Sequence, residues 1–316
     1  MYKFFKLYKI IIQIFFLYVL LSASSQSLEK IYKADTLSNY FSGVMALNSN
    51  KYDESYNFFK KLENLGESHS KYSKSFIDTL VNSSKINEAF RYALLLKKKN
   101  SNIYESDVVI TSKLIKNENF DKAYDHIILL NKKDEYSELQ NLIYQIIFNW
   151  VKIGKLNLNL EEAKNVFRTL SPKYKNINKI NDVFLNCYYD SADLNIKFEN
   201  LINDTTNDFS RYTFFYVNYL LKKNQFNKAN LILNYQLQGN PKNLLLNQLK
   251  LDINSKKNHL KNDFNCKNIS HIIAELFYIT ANALSSREIY SISNFYLSLS
   301  NYLNQNFFSY NTLLAE

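Results

Sequence analysis

The sequence predicts an all-α protein, an α-solenoid in which helix–turn–helix units stack along the chain. Three observations predict it: Gly (4) and Pro (2) are scarce in 316 residues, apolar residues recur at helical spacing, and one spacing pattern repeats. Sheet proteins with many tight turns use more Gly and Pro. Apolar residues make up 46% of the chain, which is enough for a core and argues against disorder.

The first segment, residues 1–24, is predicted to be a signal peptide. Three lysines precede the apolar run 10–21, and Ser22 and Ser24 suit the −3 and −1 positions of a cleavage site. The run is shorter than the roughly 20 residues that span a bilayer. We therefore expect cleavage after Ser24 and export to the periplasm. The alternative is an uncleaved segment that anchors the protein in the inner membrane.

The repeating pattern is read from small residues that follow one another at a constant interval. Ser55, Ala89 and Ala123 are separated by equal steps of 34 residues. Apolar residues lie three positions before and four and seven positions after each of them, which places all of them on one face of an α-helix. With small shifts in register, the template recurs at Ala163, Ala229 and Ser293.

A second apolar helix precedes each of these helices across a short polar turn, so the unit is a helix pair. Two such helices cannot bury their apolar faces alone and need stacked neighbours. A small residue at the crossing lets the second helix approach the first closely. The predicted repeat domain covers 25–316. Its units lie near 36–69, 70–103, 104–137, 138–173, 174–208, 210–243 and 274–307, of which 174–208 is the most divergent.

At these positions the sequence resembles the tetratricopeptide repeat family, which places small residues at positions 8 and 20 of its unit and often Pro at position 32. The resemblance covers about 35–305, and Ile77 and Val217 depart from it because they are bulky at position 8. It implies a right-handed superhelix, and the order of elements is similar to exported repeat proteins of α-proteobacteria. The matching residues are Gly43 and Ala281 at position 8, Ser55, Ala89, Ala123, Ala163, Ala229 and Ser293 at position 20, and Pro241 at position 32.

The resemblance also implies a concave groove, lined by the first helix of each unit, in which a peptide or partner protein binds. In that family a Lys followed four residues later by Asn clamps a C-terminal carboxylate. Lys74 is followed by Asp78 here, so this clamp is not supported. The register places in the groove Tyr40, Val44, Lys71, Lys74, Asp78, Asn82, Ser112, Phe214, Asn218 and Lys222.

No residue pattern for catalysis, a cofactor or a metal ion is found in the sequence. The four histidines have no metal-binding spacing, and the four glycines are isolated, which excludes a phosphate-binding loop. We therefore expect no enzyme activity, no cofactor and no metal site. His126 follows Asp125 on a predicted helix, and we expect both side chains to be solvated.

The two cysteines, Cys187 and Cys266, are the only ones in the chain. In a linear stack they lie about two units apart, beyond the Cα–Cα distance of about 7 Å that a disulfide allows. We therefore expect Cys187 to be a buried small residue and Cys266 to be a thiol in a loop.

The net charge of +10 is weak evidence for nucleic acid, because only four of the 39 basic residues are arginine. Abundant Lys, Asn, Ile, Phe and Tyr reflect AT-rich codons, whereas a phosphate-binding surface favours Arg. The sequence thus predicts a non-enzymatic scaffold or adaptor for protein–protein interaction, serving envelope assembly or secretion. The alternatives are a helical-repeat RNA-binding protein and a non-catalytic regulatory subunit of an enzyme complex.

Overall fold

The computed structural model describes residues 33–62, 65–66, 69–101, 103–130, 136–255 and 262–311. Within these ranges the protein is all-helical, as the sequence predicted, with fifteen α-helices, short 3₁₀ segments and no β-strand. The predicted signal peptide, 1–24, lies outside the described residues. Among the helices that are described, none has both the length and the apolar character needed to cross a bilayer.

Fourteen of the fifteen helices in the described ranges form seven consecutive pairs, and one helix, α13, stands alone before the last pair. We call the first helix of each of the first six pairs an A helix and the second a B helix. The last pair is called the C-terminal hairpin. The pairs are α1 (Ala34–Asn48) and α2 (Tyr52–Lys60), α3 (Ser70–Asn82) and α4 (Ile86–Lys98), α5 (Tyr104–Lys116) and α6 (Phe120–Ile128), α7 (Glu138–Leu156) and α8 (Leu160–Phe167), α9 (Lys175–Tyr189) and α10 (Leu194–Ile202), α11 (Ser210–Lys222) and α12 (Phe226–Gly239), then α13 (Leu244–Asn254), and finally α14 (Ile269–Ser285) and α15 (Tyr290–Leu303).

Neighbouring helices pack against one another along the chain. From α1 to α13 each helix contacts the next. In addition, α1 contacts α3, and α3 contacts α5. The buried apolar residues join into one continuous core. This follows from the sequence pattern, because each helix carries one apolar face and buries it only against its neighbours.

The small residues of the repeating pattern lie buried on the second helix of their pair, and two of them contact the first helix directly. The Oγ atoms of Ser55 and Ser293 donate hydrogen bonds of 2.9 and 2.8 Å to the carbonyl oxygens of Gly43 and Ala281. A Cβ atom on Gly43 would lie 2.6 Å from the ring of Phe59. The backbones therefore approach too closely for larger side chains. The six small residues are all at most 2% exposed: Ser55, Ala89, Ala123, Ala163, Ala229 and Ser293.

The turn inside each pair has a common backbone geometry. At the end of α3, Ser84 is left-handed with a φ of 59°, its N–H donates to the Val81 carbonyl, and the Lys85 N–H donates to the Leu80 carbonyl. This is the Schellman arrangement, which satisfies carbonyl groups that a helix end leaves unpaired. Each of the seven pairs has a left-handed residue after its first helix, none of them glycine: Asn50, Ser84, Glu118, Asn157, Asp190, Asn224 and Glu288.

His126 is buried, with 4% of its surface exposed, so the expectation of a solvated side chain is wrong. It lies three residues after Ala123 and therefore shares the inward face of α6. Its Nδ1 contacts the Nζ of Lys97 on α4, and its Nε2 lies 3.4 Å from Oδ1 of Asp107 on α5. Asp125 is exposed, as expected, and accepts a hydrogen bond from Lys155.

Cys187 and Cys266 form a disulfide, which corrects the expectation that they lie too far apart. Their Cα atoms are 5.8 Å apart although 79 positions separate them in sequence. Cys187 is buried on α9, and Cys266 lies in the turn just before α14. The expectation measured distance along a linear stack, whereas the chain folds back after α13 and brings the C-terminal hairpin beside earlier helices.

Replacing Ala123 by Leu tests the crossing geometry. We expect the free energy of unfolding to fall by about 1–3 kcal/mol, because three extra carbon atoms cannot fit between α6 and its neighbours. Ala283→Leu is the matched control, since Ala283 is exposed on α14, and its effect should stay within about 0.5 kcal/mol. Urea denaturation followed by circular dichroism measures both, and equal losses would contradict the crossing.

Replacing Glu118 by Gly tests the turn geometry. Glu118 has a φ of 55°, and the left-handed region costs a residue with a Cβ atom about 1–2 kcal/mol. Glycine also has a larger conformational entropy in the unfolded chain, which offsets part of this benefit. We therefore expect the free energy of unfolding to rise by about 0.5–1 kcal/mol. The control, Lys122→Gly inside α6, should lose about 1 kcal/mol. A loss of stability in Glu118→Gly by thermal denaturation would refute the turn assignment.

Candidate protein-binding surface

The C-terminal hairpin lies across the A helices. Helix α15 contacts α3 and α5, and α14 contacts α5 and α7. The segments that flank the hairpin reach α11, where the ring of Phe307 packs edge-on against Phe214. We call the faces of α3, α5, α7 and α11 beneath residues 262–311 the A-helix surface. It includes positions that the register assigned to the groove.

Helix α15 meets successive pairs at successive turns. Near its start, Asn294 Nδ2 donates a hydrogen bond of 2.7 Å to Tyr52 Oη of the first pair. One turn later, Ser298 Oγ donates one of 3.0 Å to Asn82 Oδ1 of the second pair. One turn further, the Tyr302 ring lies 5.7 Å from Lys113 Nζ of the third pair. Residues four apart share one helix face, so a single stripe of α15 makes all three contacts.

The C-terminal end of α15 is held by side chains from two other helices. The carbonyl oxygen of Leu303 accepts hydrogen bonds of 2.9 Å from Lys116 Nζ of α5 and from Ser270 Oγ of α14. A helix end leaves carbonyl groups unpaired and carries partial negative charge, which a cation stabilises. Burial lowers the pKa of Lys116. Its ammonium group fixes where α15 ends on the A-helix surface.

A cluster of titratable groups lies between α3, α5 and α15. Lys74 Nζ is 2.7 Å from Glu105 Oε1, and Asp78 is buried close to this pair. Burial and the nearby Glu105 charge raise the pKa of Asp78 to about 8, against the opposing effect of Lys74. The Oη atoms of Tyr104 and Tyr296 are 3.1 Å apart, and burial raises the pKa of both. Burial and the Glu105 charge thus both favour the protonated form of Asp78.

A buried ion pair joins α11 to α14. Arg211 Nε and Nη2 donate hydrogen bonds of 2.6 and 2.8 Å to the two carboxylate oxygens of Glu275, whose side chain is fully buried. The guanidinium carbon lies 3.9 Å from the ring centroid of Tyr278, and the Phe307 ring is also near it. Burial alone would lower the pKa of Arg211, but the facing carboxylate raises it above its ordinary value. Bidentate hydrogen bonds of this kind are the stronger form of an Arg–carboxylate contact.

Three of the sequence-predicted groove residues contact residues 262–311, and a fourth, Asn218, is buried. Asn82 contacts Ser298, Phe214 contacts Phe307, and Lys222 Nζ donates a hydrogen bond of 2.8 Å to the Phe264 carbonyl. Asn218, 2% exposed, is one helical turn from both Phe214 and Lys222. Of the others, Lys74 is paired with Glu105 as described above, Tyr40 and Val44 are half-buried, and Lys71 is exposed. Peptide binding at these positions stays a prediction.

Several buried side-chain polar atoms of the A helices have no hydrogen-bond partner within the described part of the chain. They belong to residues that include Ser106 and Ser112 on α5, Asn149 on α7, and Tyr212, Thr213 and Asn218 on α11. A buried polar group without a partner costs about 1–3 kcal/mol.

Sequence reasoning missed the residues that hold the hairpin in place. Arg211, Glu275 and Tyr296 were not singled out, although Glu275 is a lone acidic residue within an apolar helix. That signal was usable, because a charge on an otherwise apolar helix is buried only with a partner. Its partner could not have been identified, since Arg211 lies 64 positions away.

Other clefts are present in the described part of the chain. A cleft of about 420 Å³ lies between the turns of the first two pairs, lined by Tyr52, Asp53 and Asn82 among others. A second, of about 450 Å³, lies beside α8 and α9 and includes Arg168 and Asp182. In the described ranges there is no group of three or more His, Cys, Asp and Glu side chains that could hold a metal ion.

Comparisons with known proteins gave no matching family model, no similar curated protein and no similar solved structure.

Replacing Asp78 by Asn tests the buried cluster through its pH dependence. The pKa of Asp78 is raised from 3.8 to about 8, so the folded protein keeps a proton that the unfolded chain has lost. Between these values the free energy of unfolding falls as pH rises, by about 1.4 kcal/mol per pH unit. The Asn variant should lack this loss, so its stability relative to the parent protein rises from pH 4 to pH 8.

The control for this measurement is Asp53→Asn, which removes a carboxylate from an exposed position in the first turn of α2. Denaturation curves recorded across this pH interval should give the control the same profile as the parent protein. If the difference between Asp78→Asn and the parent protein does not change with pH, Asp78 does not carry the raised pKa.

Proposed function

We propose that the chain is a non-enzymatic protein–protein interaction scaffold, exported to the periplasm, that binds a partner protein through its A helices. In this proposal the helix pairs form a right-handed α-solenoid of tetratricopeptide type. The observation that carries it is the position of α15, which is contacted by Asn82 and Lys113 of the A helices α3 and α5 and by Tyr52 at the start of α2. Surfaces of stacked helices that accept a helix are a recurring mode of recognition.

The regular spacing of the turns supports the repeat part of the proposal. The left-handed residues Asn50, Ser84 and Glu118 are spaced by the same interval as the crossing residues, and so are Asp190 and Asn224. Turn and crossing belong to different parts of the unit, so their common period supports one repeated unit. Stacks of such units present long surfaces to partners.

The cations of the A helices favour a protein partner over RNA. Lys74 is paired with Glu105, and Lys116 and Lys222 donate to main-chain carbonyl groups of the C-terminal segment. RNA binding requires cations that are able to neutralise phosphates, with strong salt dependence. Here these cations hold carboxylate and carbonyl groups instead, which are the groups that a protein partner offers.

The test is affinity capture by the full-length protein from the envelope fraction of its native cells. Lys71 is exposed on the first turn of α3, on the predicted binding face, and Lys122 is exposed on the B helix α6. We expect the Lys71→Glu variant to capture at least tenfold less partner than the parent protein. The Lys122→Glu variant should capture the same amount as the parent protein. The mature N-terminus, sequenced in the same preparation, should begin at Ser25.

Two results would contradict the proposal. Equal capture by both charge-reversal variants would place the interaction away from the A helices. Recovery from the cytosol with Met1 intact would refute export, and capture of RNA in place of protein would support the alternative function.

A further inference from the structure

We propose that α15 is a built-in occupant of the A-helix surface and that the partner of this surface is an α-helix that replaces it. The inference rests on the proposed function and adds the kind of partner and the way in which access to the surface is controlled.

The contacts that α15 makes indicate which side chains a partner helix carries. Asn294 and Ser298, one turn apart, donate hydrogen bonds to Tyr52 and Asn82 of consecutive pairs. Between them Tyr296, 2% exposed, reaches the hydroxyl group of Tyr104. A replacing helix therefore carries small hydroxyl or amide side chains at positions i and i+4 and an aromatic residue at i+2.

The C-terminal end of the partner helix is also specified. Lys116 Nζ donates to the Leu303 carbonyl at the last residue of α15. This contact is made to the main chain, so any helix that ends at this position can make it. The A-helix surface thus recognises where a helix ends as well as a stripe of its side chains.

The disulfide controls how far the occupant can move. Cys266 is bonded to Cys187 on α9, and α14 begins three residues later at Ile269. With the bond intact, a displaced hairpin remains close to the A-helix surface. When a dithiol reductant exchanges with the bond, Cys187 and Cys266 become thiols and the reductant leaves as its own disulfide. The tether of the hairpin then extends back to the end of α13 at Asn254. A longer tether lowers the effective concentration of the hairpin at the surface, so reduction favours an external helix.

Hydrogen exchange of the full-length protein, oxidised and reduced, tests whether the occupant can leave. We expect the amides of α15 to exchange at least tenfold faster than those of α7 in the oxidised protein. Reduction should accelerate α15 by a further tenfold, roughly the effect of the longer tether. Ser298→Ala should accelerate it about fivefold, since one hydrogen bond to the surface is lost. Ser286→Ala, at an exposed turn position of the same hairpin, should not.

The probe for the partner is a fluorescent synthetic peptide with the sequence of residues 290–303. It should bind the reduced full-length protein saturably in fluorescence anisotropy, and at least tenfold more weakly to the oxidised protein. A peptide with Ala in place of Tyr296 and Ser298 should bind the reduced protein at least tenfold more weakly than the parent peptide.

The proposal is overturned if α15 exchanges as slowly as α7 in both redox states, or if the peptide does not bind the reduced protein. Failure here is distinguishable from failure of the proposed function. If Lys71→Glu loses the captured partner but α15 shows no accelerated exchange, the proposed scaffold function is supported. Only the proposal that α15 is displaced is then refuted.

Discussion

The buried ion pair between Arg211 and Glu275 is the constraint on which the placement of the C-terminal hairpin depends. Removing two charges from water costs several kcal/mol for each ion, and only close pairing with complete hydrogen bonds offsets this cost. The bidentate contact and the aromatic rings around the guanidinium group provide that pairing. The pair therefore ties α14 to α11, and α15 packs against α14.

The helical class could be predicted from the sequence because its signals are local. Scarce Gly and Pro and apolar residues at helical spacing act within a dozen residues, and the structure is all-helical as they indicated. The burial of the crossing residues, such as Ala123, follows from the same local spacing. His126 was misjudged although its signal was also local: the Ala123 face includes the residue three positions on, and Asp125 beside it faces the other way. The Cys187–Cys266 bond and the seat of the hairpin could not be predicted, because nothing near either cysteine encodes a return of the chain across 79 positions.

The residue types found at the turns do not favour the left-handed backbone conformation that the turns require. Every pair requires a left-handed residue after its first helix, a position that Gly fills at least cost, yet Asn, Asp, Ser and Glu occupy it here. Asn and Asp tolerate this conformation better than most residues, whereas Ser84 and Glu118 do not share that advantage. The Schellman hydrogen bonds at these turns compensate in part. The repeated geometry is therefore maintained by the packing of the pairs rather than by the preferences of the turn residues.

The disulfide also affects how the chain responds to mechanical force. Because Cys187 is bonded to Cys266, the helices between them form a covalently closed loop of 79 positions. Tension applied to the two ends of the protein passes through the bond and bypasses α10 to α13. Fully extended, those residues would add about 27 nm of length, and this length is withheld while the bond is intact. Under load, the middle of the molecule is thus shielded, and the flanking helices bear the force.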